Sequence, residues 1–201
     1  MSGGVAWPDP AELYAGAYGA SFDGTSGAIE TFWPPIQTDE SFTVSAWVKL
    51  DVAEGYRTAV SIDGEQVSPF LLYYPQSAGA FCFLMFYTDE GGADFNRACD
   101  AQPPPTGQWT HLVGVFNKTT REISLYVDGV LVETETYGGL DPWAADGPLA
   151  IGRAWHTSTA GGTPQNDRWW PGDIALVQVY QGPMDATDVA QLHNTQSSLA
   201  P

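Results

Sequence analysis

Three features of the amino-acid sequence predict an all-β fold built as one domain. Apolar and polar residues alternate with a period of two in most segments, as they do along half-buried strands. The 22 glycines and 15 prolines fall mostly between these segments, where they act as turn signals. At 201 residues the chain is long enough for one well-buried core.

Residues 42–50, FTVSAWVKL, show the alternation most clearly. Every second residue from Phe42 to Leu50 is apolar and is assigned to the core. The opposite face, which includes Trp47 and Lys49, is expected to be half exposed to water.

A three-stranded meander is predicted from residues 109–117, 122–129 and 130–136. Asp128-Gly129 can supply the positive φ values that a tight type I′ turn requires between the last two strands. We therefore interpret Asp128 as a turn residue rather than a catalytic one.

A long polar loop, residues 154–168, precedes the last predicted strand. Connections of this length inside a compact domain often carry function. The strand that follows begins near Trp169-Trp170, and adjacent strand residues point to opposite faces. We expect Trp170 in the core and Trp169 at the rim.

A short helix is predicted near the C-terminus, in residues 184–194. Asp185 is suited to cap its N-terminus, and Val189 and Leu192 are its apolar contacts.

The domain is expected to span residues 12–194, with residues 1–11 and 195–201 as linker or terminal segments. The first ten residues, MSGGVAWPDP, lack the basic and apolar regions of a signal peptide, and no apolar run of about 18 residues occurs. If the parent protein is secreted, its signal is expected outside this sequence.

The charge of the chain limits its partners. Lys and Arg number 7 and Asp and Glu number 24, which gives a net charge of −17. Such a chain does not neutralise phosphates, which argues against nucleic acid and anionic membranes as partners. The carboxylates either form a solvated surface or, in part, hold Ca²⁺.

Cys82 and Cys99 flank an acidic, Gly-rich turn between two predicted strands. A disulfide across this hairpin would contribute roughly 3 kcal/mol and would indicate an oxidising compartment. The alternative is a pair of buried free thiols.

Six motifs in order cover most of the chain: SFDG (21–24), SFTVSAWVKL (41–50), GQWTHLVGVFN (107–117), ISLYVDGVLV (123–132), GPLAIGR (147–153) and WWPGDIALVQVYQGPMDATDVAQLHN (169–194). They resemble the laminin G-like domains of the concanavalin A-like lectin/glucanase type, above all the accessory modules of large secreted bacterial, especially actinobacterial, proteins. The resemblance implies a jelly-roll sandwich of two antiparallel sheets, with a first strand near 20–32 beside the last near 173–181. Family members bind sugars, bind proteins or support a neighbouring catalytic domain, so the fold does not decide the function.

The resemblance also implies a structural Ca²⁺ near the SFDG turn, with Asp23 as a ligand. The last-strand pattern of the family, G-x-I-D-[DE]-V, is altered here, because residues 172–177 read GDIALV. Asp173 stands one residue early and is the candidate substitute for the missing carboxylates.

We expect no catalytic activity. Glycosidases on this jelly roll place carboxylates on one strand in an E-x-D-x-x-E spacing, which the sequence lacks. Glu133 and Glu135 are interpreted as a solvated strand face, and His111 as a packed structural residue.

Carbohydrate binding is the leading functional prediction, because sugar rings stack on aromatic side chains while polar groups bind their hydroxyls. The candidate ligand-binding residues lie in and after the long loop: Trp155, His156, Gln165, Asn166, Asp167, Arg168 and Trp169. Tyr73, Tyr74 and Tyr87 are expected to add to the same surface. The alternative is a protein-interaction or spacer module. In both cases we expect a bacterial, secreted or cell-surface parent chain with neighbouring domains.

Overall fold

The computed structural model describes residues 3–7 and 19–197 of the chain. Strands are numbered in chain order. The seven-stranded sheet contains, from edge to edge, β1 (Val5–Ala6), β2 (Gly19–Asp23), β15 (Pro171–Gln181), β4 (Phe42–Leu50), β9 (Trp109–Asn117), β10 (Glu122–Val127) and β11 (Val130–Thr136). The six-stranded sheet contains β3 (Ile29–Glu30), β12 (Leu149–Ile151), β5 (Tyr56–Ile62), β6 (Phe70–Pro75), β7 (Cys82–Phe86) and β8 (Phe95–Cys99). A hairpin of β13 (Ala154–His156) and β14 (Gln165–Asp167) and one helix, α1 (Ala186–Ser197), complete the described structure.

The predicted all-β jelly-roll sandwich is confirmed, and the last strand, β15, lies between β2 and β4. The predicted first strand, residues 20–32, is instead two strands, β2 and β3, in different sheets. The chain leaves the first sheet at Gly24, whose φ of 73° is in the region that favours glycine.

The core lies between the inner faces of the two sheets. Phe42 is fully buried there, and its ring centroid lies 5.0 Å from that of Phe70 and 6.1 Å from that of Phe83. Trp170 is also fully buried and stacks on Phe81 at a centroid distance of 6.4 Å. The assignments of Trp170 and of the Phe42-to-Leu50 face to the core are therefore confirmed.

The outer face of the seven-stranded sheet is covered by α1. Trp47 is only 4% exposed, because its indole packs against both the His111 and His193 rings and donates a hydrogen bond of 2.6 Å to Gln196 on the helix. The expectation that this face of β4 is half exposed is therefore wrong at Trp47. Period-two alternation shows which residues share a face but does not show what covers it.

The helix extends further than predicted. Asp185 caps it as expected, since its side chain accepts the backbone N–H groups of Thr187 and Asp188. However, α1 continues to Ser197, and Gln196 is only 5% exposed, so residues 195–197 belong to the domain rather than to a linker. No helix within residues 3–7 and 19–197 has the length and apolar character needed to cross a membrane.

The N-terminal boundary also differs from the prediction. Val5 and Ala6 pair with Phe22 and Ser21 of β2, so part of the expected linker is a strand. Residues 8–18 and 198–201 lie outside the described residues, and residue 12 as the start of the domain stays a prediction.

Two local predictions are confirmed. Asp128 and Gly129 both have positive φ, at 48° and 79°, in the two-residue turn between β10 and β11. Cys82 and Cys99 face each other across β7 and β8 and form a disulfide, which removes the alternative of two free thiols.

Candidate functional site

A groove of about 380 Å³ lies on the outer face of the six-stranded sheet. Its floor is formed by side chains of β5 to β8, including Tyr73 and Leu84. One wall comes from the β13–β14 hairpin and its loops, through His156 and Arg168, and another from the loop before β8. We call this feature the β5–β8 groove.

Strand register shows that the groove runs diagonally across four strands. Tyr56 pairs with Pro75, which lies two residues beyond Tyr73 on β6. In the same way Tyr73 pairs with Cys82, which is two residues from Leu84 on β7. Leu84 in turn pairs with Arg97, which is two residues from Phe95 on β8. With about 4.8 Å between strands and about 3.3 Å per residue, the diagonal from Tyr56 to Phe95 is roughly 25 Å long.

Aromatic side chains stand at both ends of this diagonal. Tyr56 is 46% exposed and Phe95 is 42% exposed, while Tyr73 in the floor is almost fully buried. The Phe95 ring is fixed at its buried side by Phe86, at a centroid distance of 5.6 Å in an edge-to-face arrangement. The groove therefore offers two accessible aromatic surfaces joined by a partly apolar floor.

Arg168 is held rigidly in the wall. Its Nη2 donates to His156 Nε2 at 2.9 Å, and the guanidinium lies 5.2 Å from the centroid of the Tyr56 ring. Burial lowers the pKa of Arg168 from its ordinary value, and Asp167 acts in the opposite direction. The backbone is also fixed there, since Arg168 has a φ of 56° and its carbonyl accepts Thr58 N–H at 2.7 Å.

The tautomer of His156 follows from these contacts. Arginine has no acceptor, so His156 Nε2 accepts the Arg168 hydrogen bond and the proton resides on Nδ1. His156 Nδ1 faces Asp167 Oδ2 at 3.5 Å. Asp167, His156 and Arg168 thus form one chain of polar contacts that positions the wall.

Of the seven predicted ligand-binding residues, the structure brings two, His156 and Arg168, into the lining of the groove. Asp167 supports them from behind, and Gln165 and Asn166 are exposed on β14. Trp155 is half buried, and its indole N–H donates to the carbonyl of Glu65 at 3.2 Å. Sugar contact by these residues stays a prediction.

Trp169 is half buried next to the core residue Trp170, and its carbonyl accepts Arg57 Nη1 at 3.1 Å. It does not contribute to the lining of the groove. Among the three tyrosines expected at this surface, Tyr73 lines the groove, Tyr74 packs in the core, and Tyr87 donates to Asn96 near the start of β8.

Sequence reasoning missed Tyr56, Phe95 and Arg97, which also line the groove. All three side chains lie on the same outer face as Tyr73. Phe95 and Arg97 are two residues apart on β8, and Arg97 lies directly opposite Leu84 on β7. The signal was present as period-two spacing within FNRAC (95–99), where Phe95, Arg97 and Cys99 share one face. Recognising that this shared face lies beside Tyr56 and Tyr73 required the order of the strands in the sheet, which the sequence alone does not reveal.

Comparison with known proteins identifies the family. The model of the concanavalin A-like lectin/glucanases superfamily, of the laminin G type, matches residues 23–190. This chain belongs to that superfamily. No curated protein sequence matches it.

Solved structures of the superfamily fold are similar across most of the chain. A heptameric SAP-like pentraxin from Limulus polyphemus superposes with a TM-score of 0.68 at 17% identity, over 90% of this chain and 83% of that one. Domain 4 of an extracellular arabinanase from Geobacillus stearothermophilus, solved with arabinotriose, gives 0.68 at 19% identity, over 95% and 82%. The botulinum neurotoxin serotype G binding domain gives 0.71 at 13% identity, over 98% of this chain but 46% of that one. These identities show a shared fold.

The calcium site that the superfamily resemblance implies was tested against its donors. Asp23 Oδ1 already accepts the backbone N–H groups of Thr25, Ser26 and Gly27. Partial desolvation alone would raise the pKa of Asp23, but the hydrogen bonds from Thr25 and Ser26 outweigh it and hold that pKa well below its usual range. Asp23 therefore acts as the cap of its own turn.

Asp173 is also bound by protein donors. Its Oδ2 lies 3.0 Å from Lys49 Nζ, and its Oδ1 accepts the Ser21 hydroxyl. Within the described part of the chain, no group of three or more His, Cys, Asp or Glu side chains is arranged to hold a metal ion. The two carboxylates do not fit a shared calcium site in this arrangement, because a cation on Asp173 would have to displace Lys49. Calcium binding by this superfamily member stays a prediction.

Proposed function

We propose that this domain is a non-catalytic carbohydrate-binding module of a larger extracellular protein and that it holds a glycan chain in the β5–β8 groove. The observation that carries the proposal is the diagonal row from Tyr56 to Phe95, with an accessible aromatic ring at each end. A row of about 25 Å suits an oligosaccharide rather than a single sugar.

The chemistry of the groove suits sugars. The C–H faces of a sugar ring pack on Tyr56 and Phe95, and polar groups along the walls bind the hydroxyls. Asp94 offers acceptors, Ser158 offers a donor and an acceptor, and Arg97 offers donors only. Both kinds of contact that a sugar requires are therefore close together.

Two further observations support the proposal. The similar arabinanase domain was solved with arabinotriose, and a disulfide fits an oxidising, extracellular compartment.

The test replaces the two exposed rings. Tyr56→Ala and Phe95→Ala should each weaken binding to a polysaccharide by about two- to tenfold, since one aromatic contact is worth about 0.5–1.5 kcal/mol. Affinity gel electrophoresis with arabinan, xylan, galactan and β-glucan, with and without Ca²⁺, measures the retardation.

The matched control is Trp33→Ala, because Trp33 is 77% exposed but does not line the groove. It should leave retardation unchanged. Equal losses in all three variants, or no retardation of the wild-type domain by any polysaccharide, would contradict the proposal.

A second candidate, a protein-interaction module, is favoured by one observation. Phe32 is 94% exposed, Trp33 77% and Leu140 91%, an unusual exposure for large apolar side chains. This candidate would replace the first if no polysaccharide binds and a partner protein is lost on substitution of Trp33.

A further inference from the structure

Of the seven cationic side chains in this acidic chain, six form ion pairs or bond several backbone carbonyls among the described residues, and one does neither. All seven lysines and arginines lie within the described residues. Four form ion pairs: Lys49 with Asp173, Lys118 with Glu40, Arg153 with Asp63 and Glu30, and Arg168 with Asp167. Arg57 and Arg121 each donate to several backbone carbonyls.

Arg97 belongs to neither group. Its guanidinium donates from Nη1 to the Ser77 hydroxyl at 3.3 Å and also bonds the Tyr73 hydroxyl, but no described carboxylate forms an ion pair with it. In a chain with 24 acidic and 7 basic residues, such an arginine is unexpected. A guanidinium has five N–H donors, so donors remain for a ligand beyond the contacts with Ser77 and Tyr73.

Arg97 occupies the middle of the groove. It lies directly opposite Leu84, and its guanidinium is 5.9 Å from the centroid of the Phe95 ring. A second guanidinium, that of Arg168, is near the same floor. Burial raises the pKa of Tyr73, whereas the hydrogen bond with Arg97 and the charges of Arg97 and Arg168 act in the opposite direction. Arg168 is already engaged by His156 and Asp167, so Arg97 is the cation that can accept a new partner.

We infer that the β5–β8 groove selects glycans that carry a carboxylate, namely uronate residues, and that Arg97 binds this carboxylate through two parallel hydrogen bonds. The inference rests on the proposed function and names its substrate class. A planar guanidinium pairs with a planar carboxylate through two parallel, charge-assisted hydrogen bonds.

The net charge of −17 does not prevent this contact. At physiological ionic strength, charges further away than about 8 Å are largely screened, whereas a hydrogen-bonded ion pair is not. Asp94, which also lines the groove, requires that the carboxylate of the ligand lie on the Arg97 side. We therefore expect a uronate at one defined position along the glycan rather than a preference for any polyanion.

The experiment compares ligands that differ in one group. Binding of the wild-type domain to oligogalacturonate and to its methyl ester, and to glucuronoxylan and to unsubstituted xylan, is measured by calorimetry in 150 mM salt. At least one carboxylated ligand should bind about tenfold more tightly than its neutral counterpart, the worth of one charge-assisted contact. A sulfated galactan is the third arm.

Variants locate the effect. Arg97→Gln should abolish the preference for the carboxylate and leave the weaker binding of the neutral ligand, and Arg97→Lys should restore part of it, since a lysine keeps the charge but not the planar fork. Lys118→Gln is the matched control, because it removes the same charge from the exposed pair with Glu40 outside the groove. Thermal unfolding of each variant confirms that the fold is intact.

The outcomes separate the two proposals. Equal binding of carboxylated and neutral ligands, or an Arg97→Gln variant that keeps the preference, would overturn the inference while the module remains a sugar binder. Equal affinity for the sulfated galactan would replace uronate recognition by recognition of charge alone. If no polysaccharide binds at all, the proposed function itself fails.

Discussion

The two outer faces of the sandwich differ in what covers them. Both carry large side chains: Trp47 and His111 on the seven-stranded sheet, and Tyr73, Leu84 and Phe86 on the six-stranded sheet. Helix α1 covers Trp47 and His111 on the first face, whereas the β13–β14 hairpin covers the second face only in part and leaves a groove beside Tyr73 and Leu84. The difference shows that a partly covered apolar face is the place to look for a ligand, because a fully covered one serves stability.

The largest difference between the faces is expected for stability. Trp47→Ala removes a ring that is packed under α1 and should lower the free energy of unfolding by about 3–5 kcal/mol. Tyr56→Ala in the open groove should lower it by less than about 1 kcal/mol. Urea denaturation of both variants measures the contrast, and similar losses would show that the two faces are not distinct.

The disulfide should contribute an intermediate amount. It joins β7 to β8 on the outer face beneath the groove, and its cysteines are 17 residues apart. Replacing both cysteines by serine should lower the free energy of unfolding by about 3 kcal/mol and weaken glycan binding, because Leu84 and Arg97 lie on the joined strands. Dithiothreitol should reproduce this effect in the wild-type domain and leave the double variant unchanged.

The smallest expected effect is the change in stability with pH that arises from His111, on the face covered by α1. Burial lowers the pKa of His111 from 6.5 to about 3, and the adjacent His193 adds to the shift. Between these two pH values the unfolded chain binds a proton that the folded chain does not. The free energy of unfolding should therefore fall as the pH drops below 6.5, by at most about 1.4 kcal/mol per pH unit from this group.

Denaturation at pH 7.5, 6 and 5 measures this slope, with His111→Gln as the comparison. The variant should be less stable at pH 7.5, since His111 bonds Ser45 at 2.8 Å, but its stability should depend less on pH. Identical slopes would exclude His111 as the group responsible.

Much of the architecture could be predicted from the sequence. The alternation in residues 42–50 and the Asp128-Gly129 turn gave the strands and their connection correctly, because both depend on local backbone geometry. The Cys82–Cys99 pair was correct for a similar reason, since a short hairpin brings its two strands together. The candidate site was only partly predicted: His156 and Arg168 line the groove, whereas Trp155 and Trp169 do not.

The errors have a common physical cause. Trp47 was expected at a half-exposed face, and Tyr56, Phe95 and Arg97 were not recognised as neighbours. In both cases the answer depends on residues far apart in the chain: Trp47 bonds Gln196, and Tyr56 and Phe95 stand at opposite ends of one groove across four strands. Local spacing carries no information about such contacts.

The sequence by itself determined the strands, the turns, the side chains that form the interior and the acidic charge of the surface. The tertiary structure alone decided which outer face stays open and that Arg97, on that face, forms no ion pair with the described carboxylates. The reason is that periodicity assigns each side chain to one side of a strand, whereas the order of strands in a sheet and the docking of α1 determine what lies on that side.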